Sequence, residues 1–427
     1  MRDLLSLTQP GTRLCKHLIV SLLLAQTALL NAQTTATESQ AEAEAAAPLP
    51  AACVSALRQK AKRAGVQPAF FDKTMATVTA RPELLERLNY QPEFKLPIWD
   101  YLATLVDDER VLDGIAMLHQ HSAVLEEIAA TYGVDAETIV AVWGVESNYG
   151  QNTGGRDIIE SLSTLSCMGR RQTFFSRELI AAIKILEAGD FERELFKGSW
   201  AGAFGQTQFM PTTFLRLAKD GDGDGKRNLI TNPVDALAST AHFLRKAGWE
   251  AGQVWGFEVR LPQSGPPAAV GRKSVRDLSY WIAQGIERVD GSPLLQAPLR
   301  TTSDAALLLP SGPKGPAFLL LGNFKSIYSY NASESYGLAI AHLSDRLRGA
   351  TVFTTPWPTD DAGLSRQEKR DIQTLLLARG HDIGAVDGAL GSRSRAAIQL
   401  EQQRLGHDVS GRAGQKLLTA LRQEARQ

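Results

Sequence analysis

A carboxylic acid that donates a proton near neutral pH must sit where its charge is disfavoured, and Glu146 carries that pattern around it. Asp135 is a good helix N-cap, Glu137 falls in the first turn, and Ile139, Val142 and Trp143 recur at helical spacing. Glu146 comes seven, four and three residues after them and so shares their apolar face. Gly150 is a natural terminator, which puts Glu146 near the helix C-terminus. The apolar surround and the negative end of the helix dipole both push its pKa upward. A glutamate that merely protrudes past the stripe into solvent meets the same spacing, so further features have to decide.

One is the segment Gly198-Ser199-Trp200-Ala201-Gly202-Ala203-Phe204-Gly205-Gln206-Thr207-Gln208-Phe209-Met210-Pro211. Its glycines allow close backbone approach to a ligand, its aromatics can stack on sugar faces, and Ser and Gln supply hydrogen bonds. It lacks the glycine spacing and lysine of a phosphate loop. Taken alone it also fits a tight helix–helix connection. Further on, Asp220, Asp222 and Asp224 stand at positions one, three and five of a loop with Gly225 at six. That is the front half of an EF-hand calcium loop. Thr231 occupies position twelve, where a glutamate is expected, and Asp235 comes four residues later. The alternative is a solvated acidic turn.

Three motifs in order, Gly144-Val145-Glu146-Ser147-Asn148-Tyr149-Gly150, residues 198–214, and Asn323-Phe324 with Tyr330-Asn331-Ala332-Ser333, resemble the lytic murein transglycosylase B family. The similarity runs from about residue 53 to about 348. The resemblance implies a lysozyme-like, mainly helical fold with Glu146 as catalytic acid and base. It implies that Ser199, Gln208, Tyr330 and Asn331 line the substrate groove, and that Arg170 and Arg171 contact the glycan or its peptide stem. It also implies an extended EF-hand-like site of Asp220, Asp222, Asp224, Lys226 (through its carbonyl) and Asp235, holding a structural calcium or sodium ion. No cofactor is expected for catalysis. Tyr149 and Phe204 stand where relatives often differ, which bears on the shape of the groove.

The elements that position these residues can be read from the patterning. Amphipathic helical patterns dominate residues 51–350, the expected catalytic domain, and residues 254–316 are looser, with room for short strands or a small hairpin. Residues 33–50 and 351–363 read as linkers. Residues 364–427 read as a separate module that resembles the three-helix peptidoglycan-binding domain of wall enzymes, with Ile372, Leu375 and Leu376, Ala397 and Ile398, and Leu417, Leu418 and Leu421 at helical spacing. The module has eleven Lys and Arg against seven Asp and Glu, an excess that suits an anionic wall polymer. As a tethered anchor it should hold the enzyme on the wall without affecting turnover of short glycans. The fold class expected is therefore mainly α, a lysozyme-like catalytic domain with a small β element and then a three-helix module.

Arg13 and Lys16 precede an apolar run that ends near Leu30, with Asn31-Ala32 as a small-residue exit. Residues 1–32 thus read as a secretory signal peptide, too short in its apolar core for a membrane span, and place the protein in the periplasm. Cys53 and Cys167 would remain after cleavage; in an oxidising compartment they either pair or stay as two buried thiols. No apolar core leads directly into Cys53, which argues against a lipid anchor there. A formal net charge of zero gives no support for a nucleic-acid partner. The expected partners are peptidoglycan glycan strands, with other wall-synthesis or remodelling proteins beside them. The expected reaction is cleavage of the β-1,4 bond between N-acetylmuramic acid and N-acetylglucosamine with formation of a 1,6-anhydro ring. A lysozyme-like hydrolase would need a second carboxylate, for which Glu160 and Glu178 are the candidates, and a silent wall-binding protein would not need Glu146.

Overall fold

The computed structural model describes residues 48–88 and 95–426. The expected signal peptide, and the linker at 33–50 except its last three residues, lie outside the described residues. Pro50 caps the Ala51–Arg63 helix, and from there to the C-terminal module about half of the described chain is helical.

Residues 51–350 form three packed cores. The first is built around the Ala136–Ser147 helix, whose residues from Thr138 to Gly144 are all buried. A helix that is apolar all round has no solvent face, and this one is enclosed by Asp108–Gln120, Ser122–Tyr132, Pro233–Lys246 and Glu334–Leu347. The second core joins the Ile158–Met168, Gln172–Glu187 and Pro211–Leu217 helices through Phe191, Phe196, Phe204, Phe209 and Phe214. A disulfide between Cys53 and Cys167, Cα atoms 5.7 Å apart, ties the first described helix to the end of Ile158–Met168. A two-stranded ribbon, β1 (Arg156–Asp157) with β2 (Lys197–Gly198), leads into the Gly-rich segment.

The third core is a five-stranded antiparallel sheet: β3 (Gly256–Arg260), β4 (Arg276–Asp277), β5 (Glu287–Arg288), β6 (Asp304–Leu308) and β7 (Ala317–Leu320), in the order β4-β6-β7-β3-β5. Trp281 of the Leu278–Ala283 helix is fully buried with its inner residues. These are the short strands expected in residues 254–316, though β6 and β7, buried along nearly their whole length, lack the alternation that marks a half-exposed strand and that would have set their number.

The C-terminal module has its own core of Ile372, Leu376, Ile398, Leu417, Leu418 and Leu421 within three helices, Arg366–Ala378, Ser392–Arg404 and Gln415–Glu424. The preceding segment is not a free linker. Thr354 and Thr355 donate their backbone N–H groups to the two carboxylate oxygens of Glu258 at 2.7 Å each, and Phe353 stacks on His342 at 3.8 Å. The module itself is clamped to the catalytic part. Arg412 grips both oxygens of Asp100 at 2.7 Å, Arg370 reaches Glu109 at 2.6 Å, and Arg366 forks onto Asp107. The module is thus docked on the catalytic part as well as tethered to it, with the Asp107 carboxylate, 4% exposed, covered at the contact.

Candidate active site

Asp135 caps the Ala136–Ser147 helix by accepting from Thr138 N at 3.0 Å, and the helix ends on Asn148 in the left-handed region (φ 52°). Tyr149 (φ 58°) and Gly150 (φ 84°) continue in that region, which is costly for a tyrosine and needs compensation. The compensation is visible. The Tyr149 ring folds back over Gly144, where a Cβ would lie 2.7 Å from ring atoms, and its hydroxyl donates to Arg110 O at 2.7 Å. Arg110 in turn donates to Gly144 O. The Gly144 and Tyr149 positions of the motif are thus one packing device, and Tyr149 lies in the core rather than the groove. Phe204, fully buried among Phe191, Phe196 and Phe214, is a core residue as well.

Glu146, in the last turn of the helix, is partly exposed, and the buried Tyr336 hydroxyl donates to its Oε1. Ser333 caps the Glu334–Leu347 helix and receives Tyr336 N, so the backbone that carries this hydroxyl is itself pinned. Tyr330 stacks on Tyr336, ring centroids 6.3 Å apart, and donates its hydroxyl to Thr207 O at 2.7 Å. Burial and then the nearby Glu146 charge hold both phenols well above their ordinary pKa, so they act as hydrogen-bond donors and not as acids. A hydroxyl aimed at a carboxylate fixes its rotamer and stabilises the anion left after proton donation.

The Gly-rich segment closes against this helix end. Ser147 Oγ donates to Gln206 O and accepts from Gly150 N at 2.9 Å. Gly202 and Gly205 have positive φ and approach Leu162 and Leu229 too closely for a Cβ. Gln208 is also left-handed (φ 51°), with its amide nitrogen donating to Thr153 O and Gly205 O at 2.9 Å. Ser199 forms the tip of a turn with Ala203, accepting Ala203 N at 3.0 Å. Among the groove residues named from sequence, Tyr330 therefore stands beside Glu146, and Ser199 and Gln208 lie on the segment that Ser147 and Tyr330 fasten to it. Asn331 is exposed in the turn after Tyr330. Arg170 donates to Leu88 O at 2.8 Å, and left-handed Arg171 lies over the Phe174 ring at 4.4 Å, so the contacts of both run to elements other than the Ala136–Ser147 helix.

Sequence reasoning missed Tyr336, Ser147 and Gln206. Tyr336 had a signal: it is the third residue after a Ser cap, in line with buried Ile340 and Leu343. Both candidate second carboxylates are occupied elsewhere. Glu160 accepts from Thr79 and Arg81, and Glu178, 1% exposed, accepts from Thr212 N and Oγ1 at the start of the Pro211–Leu217 helix.

At the acidic loop, carboxylate oxygens of Asp220, Asp222 and Asp235 lie within 4.8 Å of one another. Asp235 is fully buried; burial, and after it the charges of Asp222 and Asp220, push its carboxyl upward against bonds from Gly221 N and Asn228 N. Asp224 is outside this trio, its carboxylate accepting Lys226 N at 2.8 Å. The expected five-residue ligand set is thus seen as three converging residues. Hard oxygen donors with an excess of negative charge fit a cation such as calcium.

A family model described as the transglycosylase SLT domain matches residues 50–345, and one described as a putative peptidoglycan binding domain matches residues 365–421. The membrane-bound lytic murein transglycosylase B of Escherichia coli (strain K12) is 33% identical over 256 residues, 59% of this chain and 68% of that protein. SltB3 from Pseudomonas aeruginosa, solved in complex with NAG-anhNAM-pentapeptide, is 45% identical with a TM-score of 0.69, covering 86% of this chain and 98% of SltB3. The Escherichia coli lytic transglycosylase Slt35, solved in complex with calcium, is 27% identical with a TM-score of 0.61, covering 72% of this chain and 97% of its own.

Proposed function

This chain belongs to the transglycosylase SLT domain family and is a lytic transglycosylase of peptidoglycan, and from that premise we propose that Glu146 alone supplies both acid and base. Its carboxylic acid protonates the glycosidic oxygen as the bond from C1 of N-acetylmuramic acid to N-acetylglucosamine breaks. The resulting carboxylate, steadied by Tyr336, takes the proton of the muramic acid 6-hydroxyl as that oxygen bonds to C1 and closes the 1,6-anhydro ring. Glu146 ends protonated, and no water is consumed.

The observation that carries this reading is the Glu146 carboxylate with a buried phenol on it, while Glu160 and Glu178 are committed to packing contacts. A hydrolase places a second carboxylate across the bond to activate water or attack C1. An intramolecular hydroxyl held near C1 instead gains an effective molarity of order 10⁵ M or more in favourable systems. Tyr330, Ser199, Gln208 and Asn331 orient the muramic acid, and Arg170 and Arg171 meet the glycan or its stem further along. The NAG-anhNAM-pentapeptide in the SltB3 complex carries the kind of end this mechanism leaves. Digested sacculi should therefore release muropeptides about 18 Da lighter than lysozyme products and inert to borohydride. Mainly reducible ends in mass spectra would place the chemistry with hydrolases.

The domains are then a signal peptide at 1–32, a catalytic part at 51–350 and a wall-binding module at 364–427, acting in the periplasm. Asp220, Asp222 and Asp235 would hold a structural calcium ion, which neutralises three converging carboxylates and takes no part in the reaction. Millimolar calcium should raise the melting temperature of the full chain, and Asp220→Asn with Asp222→Asn should abolish the rise. At a hundredfold excess over its dissociation constant the ion contributes about 2.7 kcal/mol. Identical melting curves with calcium and with chelator would leave the loop as a solvated turn.

A further inference from the structure

The clamp between the C-terminal module and the catalytic part reaches the end of the catalytic helix. Arg366, the first residue of the module's first helix, donates Nε and Nη2 to Asp107 at 2.9 and 3.0 Å. Its remaining nitrogen, Nη1, donates to Asn148 Oδ1 at 2.6 Å. Asn148 is the left-handed cap of the Ala136–Ser147 helix, two residues past Glu146 and 9% exposed. Asp107 is itself the N-cap of the Asp108–Gln120 helix, accepting Arg110 N at 2.8 Å. Arg110 of that helix holds Gly144 O, two residues before Glu146. One guanidinium from the wall-binding module thus grips the cap after Glu146 and the helix whose arginine grips the turn before it.

We propose that Arg366 is a positioning residue for Glu146, so that the C-terminal module is part of the catalytic apparatus and not only a wall anchor. The physical reason lies in the helix end. The last turn is closed by Asn148 N on Gly144 O at 3.0 Å and Tyr149 N on Trp143 O at 3.3 Å, but Asn148 and Tyr149 are both left-handed non-glycine residues, and that strain has to be offset by contacts from outside the helix. A planar fork that satisfies Asp107 and Asn148 together supplies such a contact; an ammonium cannot span both in fixed geometry. Loosening this cap moves Glu146 relative to the glycosidic oxygen, to which proton transfer is sensitive.

The proposal rests on Glu146 as the acid and base, and the two are tested apart. Kinetics of the full chain on a soluble tetrasaccharide, too short to need wall anchoring, are compared for wild type, Arg366→Ala, Arg366→Lys, Asn148→Gly and the Arg366→Ala/Asn148→Gly pair. Asn148→Gly removes the acceptor while keeping a residue suited to the left-handed cap, so the fold and the Arg366–Asp107 contact survive. We expect kcat to fall about tenfold in Asn148→Gly and Arg366→Ala with KM unchanged, no further fall in the pair, and partial recovery in Arg366→Lys. Unchanged kcat in Asn148→Gly, or losses that multiply in the pair, would overturn the proposal. So would an equal loss in Arg370→Ala/Arg412→Ala, which weakens docking and leaves Arg366 in place. Residual activity of Glu146→Gln in the same assay reports on the acid/base assignment by itself.

Discussion

Glu146→Gln should fold, bind glycan and lose at least ~10²-fold in turnover, because general acid and base catalysis together contribute that much or more. The amide matches the acid in size, and Tyr336 can still donate to its carbonyl oxygen, so the buried phenol keeps its partner. What disappears is the proton for the glycosidic oxygen and the base for the 6-hydroxyl. Neither candidate carboxylate can step in: Glu160 is tied to Arg81 and Thr79, and Glu178 to Thr212. The checks are turnover of purified sacculi, co-sedimentation with them, and a melting curve. Normal binding and melting with turnover lost is the expected set; turnover within a few-fold of wild type would remove Glu146 from its proposed role.

Replacing Cys53 and Cys167 together by alanine should cost about 2–5 kcal/mol of stability. The bridge spans 114 residues, a long loop to leave open in the unfolded chain. It joins the Ala51–Arg63 helix to the turn that carries Arg170 and Arg171, and both half-cystines pack against the phenylalanine core. Reductant should lower the melting temperature of the wild type towards that of the double variant and leave the variant where it is. A wild type indifferent to reductant would show that the pairing contributes nothing in solution. The same bridge fits a protein that folds in an oxidising compartment.

Local pattern was enough to find the helix that carries Glu146. Asp135 as cap, the run from Ile139 to Trp143 and a glutamate near the end are properties of neighbouring residues, and helix formation is decided at that range. The three-helix module, the Gly-rich segment and the acidic loop were legible for the same reason, each being a short stretch with its own chemistry. The order of motifs carried the family resemblance, and the matched regions at 50–345 and 365–421 agree with it.

Tertiary structure decided what acts between segments far apart in the chain. Tyr336 meets Glu146 across 190 residues, and Arg366 meets Asn148 across 218. No periodicity or spacing encodes such pairs, because they arise only when independently formed elements pack. Strands were expected within residues 254–316, but their number and order were not legible, because β6 and β7 are buried on both faces and a strand buried that way reads as an apolar run without alternation. Tyr149 and Phe204, two motif positions where relatives often differ, bore on groove shape in the sequence reading, yet packing turns both inward, one over Gly144 and one into an aromatic cluster. Residues 351–363 read as a linker by their prolines and threonines, but Glu258 fastens Thr354 and Thr355 to the sheet. Residue type set what each segment could do chemically; which partner each one met was decided by burial, where an unpaired charge or an empty space costs more than the chain can leave uncompensated.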